Sequence, residues 1–223
     1  MKQFFKDAKG HLMTGIGYML PLIIGASLVV AIPKLIALCF GITSLDPYAD
    51  GTGIWHIMKL IENVGWTGIG MVNTVLAGFI AYSIADKPAI GAGLIGGAVA
   101  SNTYAGFLGA VIAAFIAGYS VKWAKKHIKL PQSMNSVMPL VICPLIATGL
   151  VAIIMGVILA TPLAAINTWL VNWISSMCQN QSSQLVMALI LGAMIACDMG
   201  GPINKSAWMA GNALMAEGIY QPN

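Results

Sequence analysis

The chain has 223 residues, of which 58% are hydrophobic and only 8% charged, and its mean hydropathy is +0.84. A water-soluble domain carries about 25% charged residues, so that class is excluded. The formal net charge of +4 comes from lysine alone, and it describes how loops sit across a bilayer rather than nucleic-acid binding.

Four uncharged runs stand out: Leu12–Pro33 (22 residues), Asn63–Ala85 (23), Pro88–Val121 (34) and Leu130–Cys197 (68). A helical span needs about 20 such residues. The expected fold is an all-α integral membrane protein of about six membrane segments. It has interfacial amphipathic helices and a broken or re-entrant helix near the C-terminus, with no separate soluble domain. Met1–Gly10 reads as a short basic lead. The apolar stretch after it is too long for a signal peptide and no small-residue cleavage site closes it, so the first segment is expected to be a genuine span.

That first segment covers about His11 to Phe40 and contains Pro21 and Pro33, which predict a kink or a local break. The following loop, Gly41–Gly53, holds Asp46 and Asp50 but no lysine, whereas Lys2, Lys6 and Lys9 precede the span. The contrast places the N-terminus in the cytoplasm and the loop outside. Ile54–Asn63 mixes six apolar residues with His56, Lys59 and Glu62, and predicts an interfacial helix. Trp66–Ala85 is the second span, returning to the cytoplasm at Asp86-Lys87.

The 34-residue run exceeds one span and falls short of two, at about 51 Å of helix against roughly 30 Å of hydrocarbon. It divides into a short Gly-rich segment, Pro88–Ala100, and a full span, Tyr104–Val121. The span ends at the most basic loop, with Lys122, Lys125, Lys126, His127 and Lys129. That loop belongs in the cytoplasm, so Pro88–Ala100 is expected to cross the membrane; a re-entrant path would flip everything downstream. The 68-residue run splits into a span at Val137–Ala160, an amphipathic stretch at Thr161–Cys178 and a span at Ser183–Cys197.

This last span runs into Asp198-Met-Gly-Gly-Pro-Ile-Asn-Lys205. An acid and a base flank a helix-breaking Gly-Gly-Pro there, and ionisable groups at membrane depth cost roughly 2.5–3.5 kcal/mol each on insertion scales. Broken helices at that depth survive when buried in protein or lining a cavity. Asp198, Asn204 and Lys205 therefore suit a polar ligand pocket, and equally suit an ion pair at a surface loop. Ser101 and Asn102, beside the Gly-rich segment, both donate and accept hydrogen bonds, as sugar recognition requires. Interhelical bonding uses the same residue types. His11 suits either proton handling or a boundary role at the start of its span, and Lys34 can reach the outer interface by its long stem. The scattered cysteines show no metal spacing. Neither a nucleophile–histidine–acid set nor a phosphate loop is present, so an enzyme acting alone is not expected.

Taken in order, four stretches resemble the fructose-type permease domain, the IIC component, of phosphoenolpyruvate-dependent sugar phosphotransferase systems. They are His11-Leu-Met-Thr-Gly-Ile-Gly-Tyr-Met-Leu-Pro21, Ile84-Ala-Asp-Lys-Pro88 leading into Gly93-Leu-Ile-Gly-Gly97, Gly106-Phe-Leu-Gly109 with Ala117-Gly-Tyr119, and Asp198–Lys205. The last string is the specific one. The resemblance implies a permease that binds a fructose-like sugar outside and moves it inward for phosphorylation by a cytoplasmic IIB partner, itself supplied by IIA. It further implies a homodimer in the bacterial inner membrane, no cofactor, and Asp198, Gly200, Gly201, Pro202, Asn204 and Lys205 as substrate-binding or gate elements. The family domain continues into a Gly-Ile-Thr-Glu-Gly-type motif that residues 1–223 do not contain, so the chain is expected to be the N-terminal part of a single IIC domain. Two other readings stand beside it: an ion-coupled secondary transporter or channel using Asp198 and Lys205, and a truncated, non-transporting membrane subunit.

Overall fold

The computed structural model describes residues 2–102, 105–128, 131 and 136–159, with isolated positions between 161 and 193. Among the described residues there are helices and turns but no strand. The stretch Ser183–Cys197 is outside the described residues apart from isolated positions, and Asp198–Lys205 lies wholly outside them.

Helix α1, Lys2–Cys39, runs for 38 residues without interruption through Pro21 and Pro33. The expected break is absent, as is usual where an apolar surrounding leaves a helix no alternative partner for its backbone. A turn around Asp46–Tyr48 follows. Helix α2, Ile54–Gly70, and helix α3, Val72–Ala85, are separated by Met71 alone. The interfacial helix expected at Ile54–Asn63 is thus the opening part of a 32-residue helical segment. Two charges lie on its inward side, but Lys59 donates to Glu62 at 3.2 Å, and this pairing lets the helix run on.

Helices α1 and α2–α3 form one long antiparallel pair. Gly65 lies against Ala26 and Val30, Gly15 against Leu76 and Ile80, and His11 against Ser83. A Cβ on Gly65 would stand 2.8 Å from both the Ala26 carbonyl oxygen and the Val30 nitrogen, so only glycine admits this approach.

Helix α4, Lys87–Asn102, turns back along α3. Its buried face is Ala89, Ala92, Gly93, Gly96, Gly97 and Ala100. Small residues at three- and four-residue steps let helix backbones touch, and Gly97 sits against the α3 backbone at Thr74. Helix α5, Gly106–His127, reverses again and buries Ala110, Ala113, Ala114, Ala117, Val121 and Ala124. Helix α6, Cys143–Val151, is flanked by π-helical turns at Met138–Ile142 and Ala152–Ile158. Pro144 has no N–H to offer the carbonyl of Leu140, and a wider turn absorbs that mismatch.

Because α4 runs opposite to both α3 and α5, Pro88–Ala100 crosses the bundle instead of folding back. The start of α1, the Asp86-Lys87 turn and the basic end of α5 consequently share one end, where Lys125 donates to the carbonyl of Ala85 at 2.8 Å. Among the described residues, three segments are long and apolar enough to cross a membrane: Lys6–Cys39, Ile54–Ala85 and Met138–Ile158.

Candidate functional site

At the basic end, the turn between α3 and α4 faces the π-helical entry to α6 across an open recess of about 630 Å³. Tyr82, Asp86, Lys87 and Pro88 form one wall, and Pro139, Leu140 and Pro144 the other. The turn itself is unusual. Asp86 has φ 62° and ψ −162°, a region essentially reserved for glycine that costs of order 1–3 kcal/mol for any other residue. Its N–H is bonded to the carbonyl of Tyr82 at 2.8 Å, and its own carbonyl accepts from Ala89 at 3.0 Å. These bonds close α3 and open α4. Among the described residues the side chains of Asp86 and Lys87 have no hydrogen-bond or ion-pair partner.

Two polar cross-links tie the helices together. Next to the recess, His11 Nδ1 and Ser83 Oγ lie 2.8 Å apart, and Ser83 is also 3.4 Å from Thr14 Oγ1. His11 is thereby a bridge between α1 and α3, a role a single-residue reading does not show. At the opposite end Asn73 Nδ2 donates to Ser101 Oγ at 3.2 Å. Asn73 is 5% exposed, and its Oδ1 is buried without a partner among the described residues. Ser101 is half-buried and its neighbour Asn102 is exposed. Ser101 lies about 21 Å from Lys87 along α4 at 1.5 Å per residue, so the two polar regions are separate.

A third cluster closes the far end of the α1–α2 pair. Lys59 bridges Asp46 and Glu62, and Lys34 reaches Glu62 at 3.2 Å. Trp66 Nε1 donates to Glu62 at 2.9 Å. Lys34 also stands 5.3 Å over the Trp66 ring, so its half-exposed side chain is held by a carboxylate and an aromatic face at this end of the pair. The Lys59 ammonium and the Ser44 hydroxyl hold the Asp46 carboxyl below the usual aspartate range. Every member of this cluster is paired, which marks it as structural. Among the described residues no group of His, Cys, Asp and Glu could hold a metal ion.

Of the substrate-binding or gate candidates singled out from sequence, Ser101 and Asn102 are described. Asp198, Gly200, Gly201, Pro202, Asn204 and Lys205 lie outside the described residues. Asn73, whose residue type suits sugar recognition and interhelical bonding alike, takes the interhelical role toward Ser101, and the recess as a whole was not anticipated. The only local signal was Ile84-Ala-Asp-Lys-Pro88, since its opposite wall comes from residues some 50 positions later.

Residues 13–222 match the family described as phosphotransferase system, EIIC. The chain is 39% identical over 214 residues to the PTS system fructose-specific EIIABC component of Bacillus subtilis, covering 96% of this chain and 33% of that protein. It is 42% identical over 154 residues to the fructose permease IIC component of Bacillus amyloliquefaciens, covering 69% and 50%. It is 34% identical over 219 residues to the fructose-like permease IIC component 2 of Escherichia coli, covering 98% and 58%. The chain therefore spans between 33% and 58% of the length of these relatives. No solved structure gives a significant match.

Proposed function

The chain belongs to the EIIC family of the phosphotransferase system, and from that membership we propose that it is a membrane permease subunit binding a fructose-like sugar and passing it inward to be phosphorylated by a IIB partner. The observation that carries this reading is the match over residues 13–222, which takes in nearly the whole helical bundle. A helical architecture with three segments able to cross a membrane is what such a subunit needs. The relative named EIIABC joins the C component to A and B, which supports IIA and IIB as this chain's partners. Phosphoryl transfer then belongs to those partners, consistent with the permease role of EIIC.

The basic end, with Lys6, Lys9, Lys87, Lys122, Lys125 and Lys126, faces the cytoplasm in this reading, because lysine-rich segments stay on that side. The exposed apolar stripe of α1, with Leu20, Ile24, Leu28 and Ile32, meets lipid and the second copy of a homodimer. Asp198, Asn204 and Lys205, in the Gly-Gly-Pro string, contribute to the substrate site or its gate, and Ser101 and Asn102 contribute from the end of α4 away from Lys87.

The test is sugar uptake by membrane vesicles that contain the protein, supplied with the soluble phosphotransferase components. Uptake is expected to require phosphoenolpyruvate and to ignore proton and sodium gradients. Asn204→Ala and Lys205→Ala are each expected to lower it about tenfold, the usual scale for losing a hydrogen bond to a charged or strongly polar group, with insertion unchanged. Uptake driven by an ion gradient alone would instead favour a secondary transporter.

A further inference from the structure

We propose that the recess at the basic end is a sugar subsite and that Asp86 is the residue in it that accepts hydrogen bonds from the sugar's hydroxyls. This rests on the reading of the chain as a sugar permease subunit. The turn between α3 and α4 needs a residue at φ 62°, ψ −162°, where glycine sits without strain. Glycine is abundant in the chain, with 25 of 223 residues, yet a carboxylate occupies this position. Neither a side-chain capping bond nor an ion pair accounts for it, because among the described residues its carboxylate oxygens have no partner. Backbone strain of this kind persists where the side chain has work to do at a site.

The lining says what kind of molecule fits. Asp86 and Lys87 bring one charge of each sign to the rim, so the recess favours a neutral, hydroxyl-rich ligand over an anion or a cation. A carboxylate accepts from two hydroxyls at once and an ammonium donates to a third. Tyr82 and the prolines opposite offer apolar surface to the C–H faces of a sugar ring. The volume of about 630 Å³ lies within the range of about 300–1,000 Å³ usual for small-molecule sites. The other polar clusters lack this combination. The Lys59–Glu62 cluster satisfies itself, and Asn73–Ser101 lies in close helix packing. The recess stands at the end where a phosphoryl donor would meet the sugar.

Asp86→Gly separates the carboxylate from the fold, since glycine keeps the turn and removes only the side chain. Wild type, Asp86→Gly and Asp86→Asn are made in the native protein. For each, thermal unfolding is measured in detergent, binding of radiolabelled fructose and other hexoses without phosphoenolpyruvate, and phosphoenolpyruvate-driven uptake in vesicles. Asp86→Gly is expected to unfold at the wild-type temperature or above, to bind sugar about tenfold or more weakly, and to lose uptake in proportion. Asp86→Asn, which still accepts through one oxygen, is expected to fall between the two. Wild-type binding and uptake in Asp86→Gly would overturn the subsite while leaving the permease reading intact. So would an Asp86→Gly protein that unfolds well below wild type while Asp86→Asn binds normally, since the residue would then serve the turn alone. A wild-type protein that neither binds nor takes up any hexose would overturn the permease reading, and the subsite with it.

Discussion

Ser101 accepts a hydrogen bond from Asn73 across α3 and α4, while the other end of the same amide finds no partner among the described residues. The two residues should respond to substitution very differently. Ser101→Ala leaves both polar ends of Asn73 unpaired among packed helices and is expected to cost about 1–3 kcal/mol. Asn73→Leu removes the donor and the orphaned acceptor together, at similar volume, and is expected to cost less than about 1 kcal/mol. Thermal unfolding in detergent checks both, and equal losses would show that the orphaned oxygen carries no penalty. Of these features the sequence displays only residue types. Ser101 reads as polar and well placed, but its partner stands 28 positions away. Asp86 reads as an ordinary turn residue, because a positive φ outside glycine is visible only once the α3–α4 turn is built.

At the scale of elements, glycine has opposite meanings on the two helices of the long pair. Gly65 of α2 touches the backbone of α1, whereas Gly17 of α1 is exposed with nothing within 4 Å of an added Cβ. Gly65→Ala is expected to destabilise by about 1–3 kcal/mol through overpacking, and Gly17→Ala to stabilise by roughly 0.5–1 kcal/mol through helix propensity. Unfolding of the two variants reads the difference in sign directly; two changes of the same sign would contradict the packing register. The spans themselves were legible, because an uncharged run of bilayer length has few other uses. Val137–Ala160 appears as Met138–Ile158, and Pro88–Ala100 lies in a helix that runs antiparallel to α3 and α5. The continuity of α2 was not legible. Lys59 and Glu62 look like interfacial polarity until Lys34, Trp66 and Asp46 are seen gathered around them. Only the folded neighbours reveal that these charges cancel.

For the molecule as a whole, the alternation of α3, α4 and α5 puts Asp50 and Lys126 at opposite ends. In a cysteine-free background, a membrane-impermeant maleimide is expected to label Asp50→Cys in intact cells and Lys126→Cys only after permeabilisation. The reverse pattern would overturn the cytoplasmic placement of the basic end, and labelling of both from one side would overturn the crossing order. Length adds a consequence of another kind. From Met13 to Leu38 one face of α1 keeps large apolar side chains exposed, a stripe of about 38 Å at 1.5 Å per residue against roughly 30 Å of hydrocarbon. Leaning in the bilayer is one way for helix α1 to meet that excess, and the antiparallel segment locked to it would lean with it. Membrane thickness then becomes a mechanical input: thicker lipid stands the pair more upright, and thinner lipid lays it further over. Both ends of that pair carry polar clusters, so lipid chain length acts on the same helices that hold them.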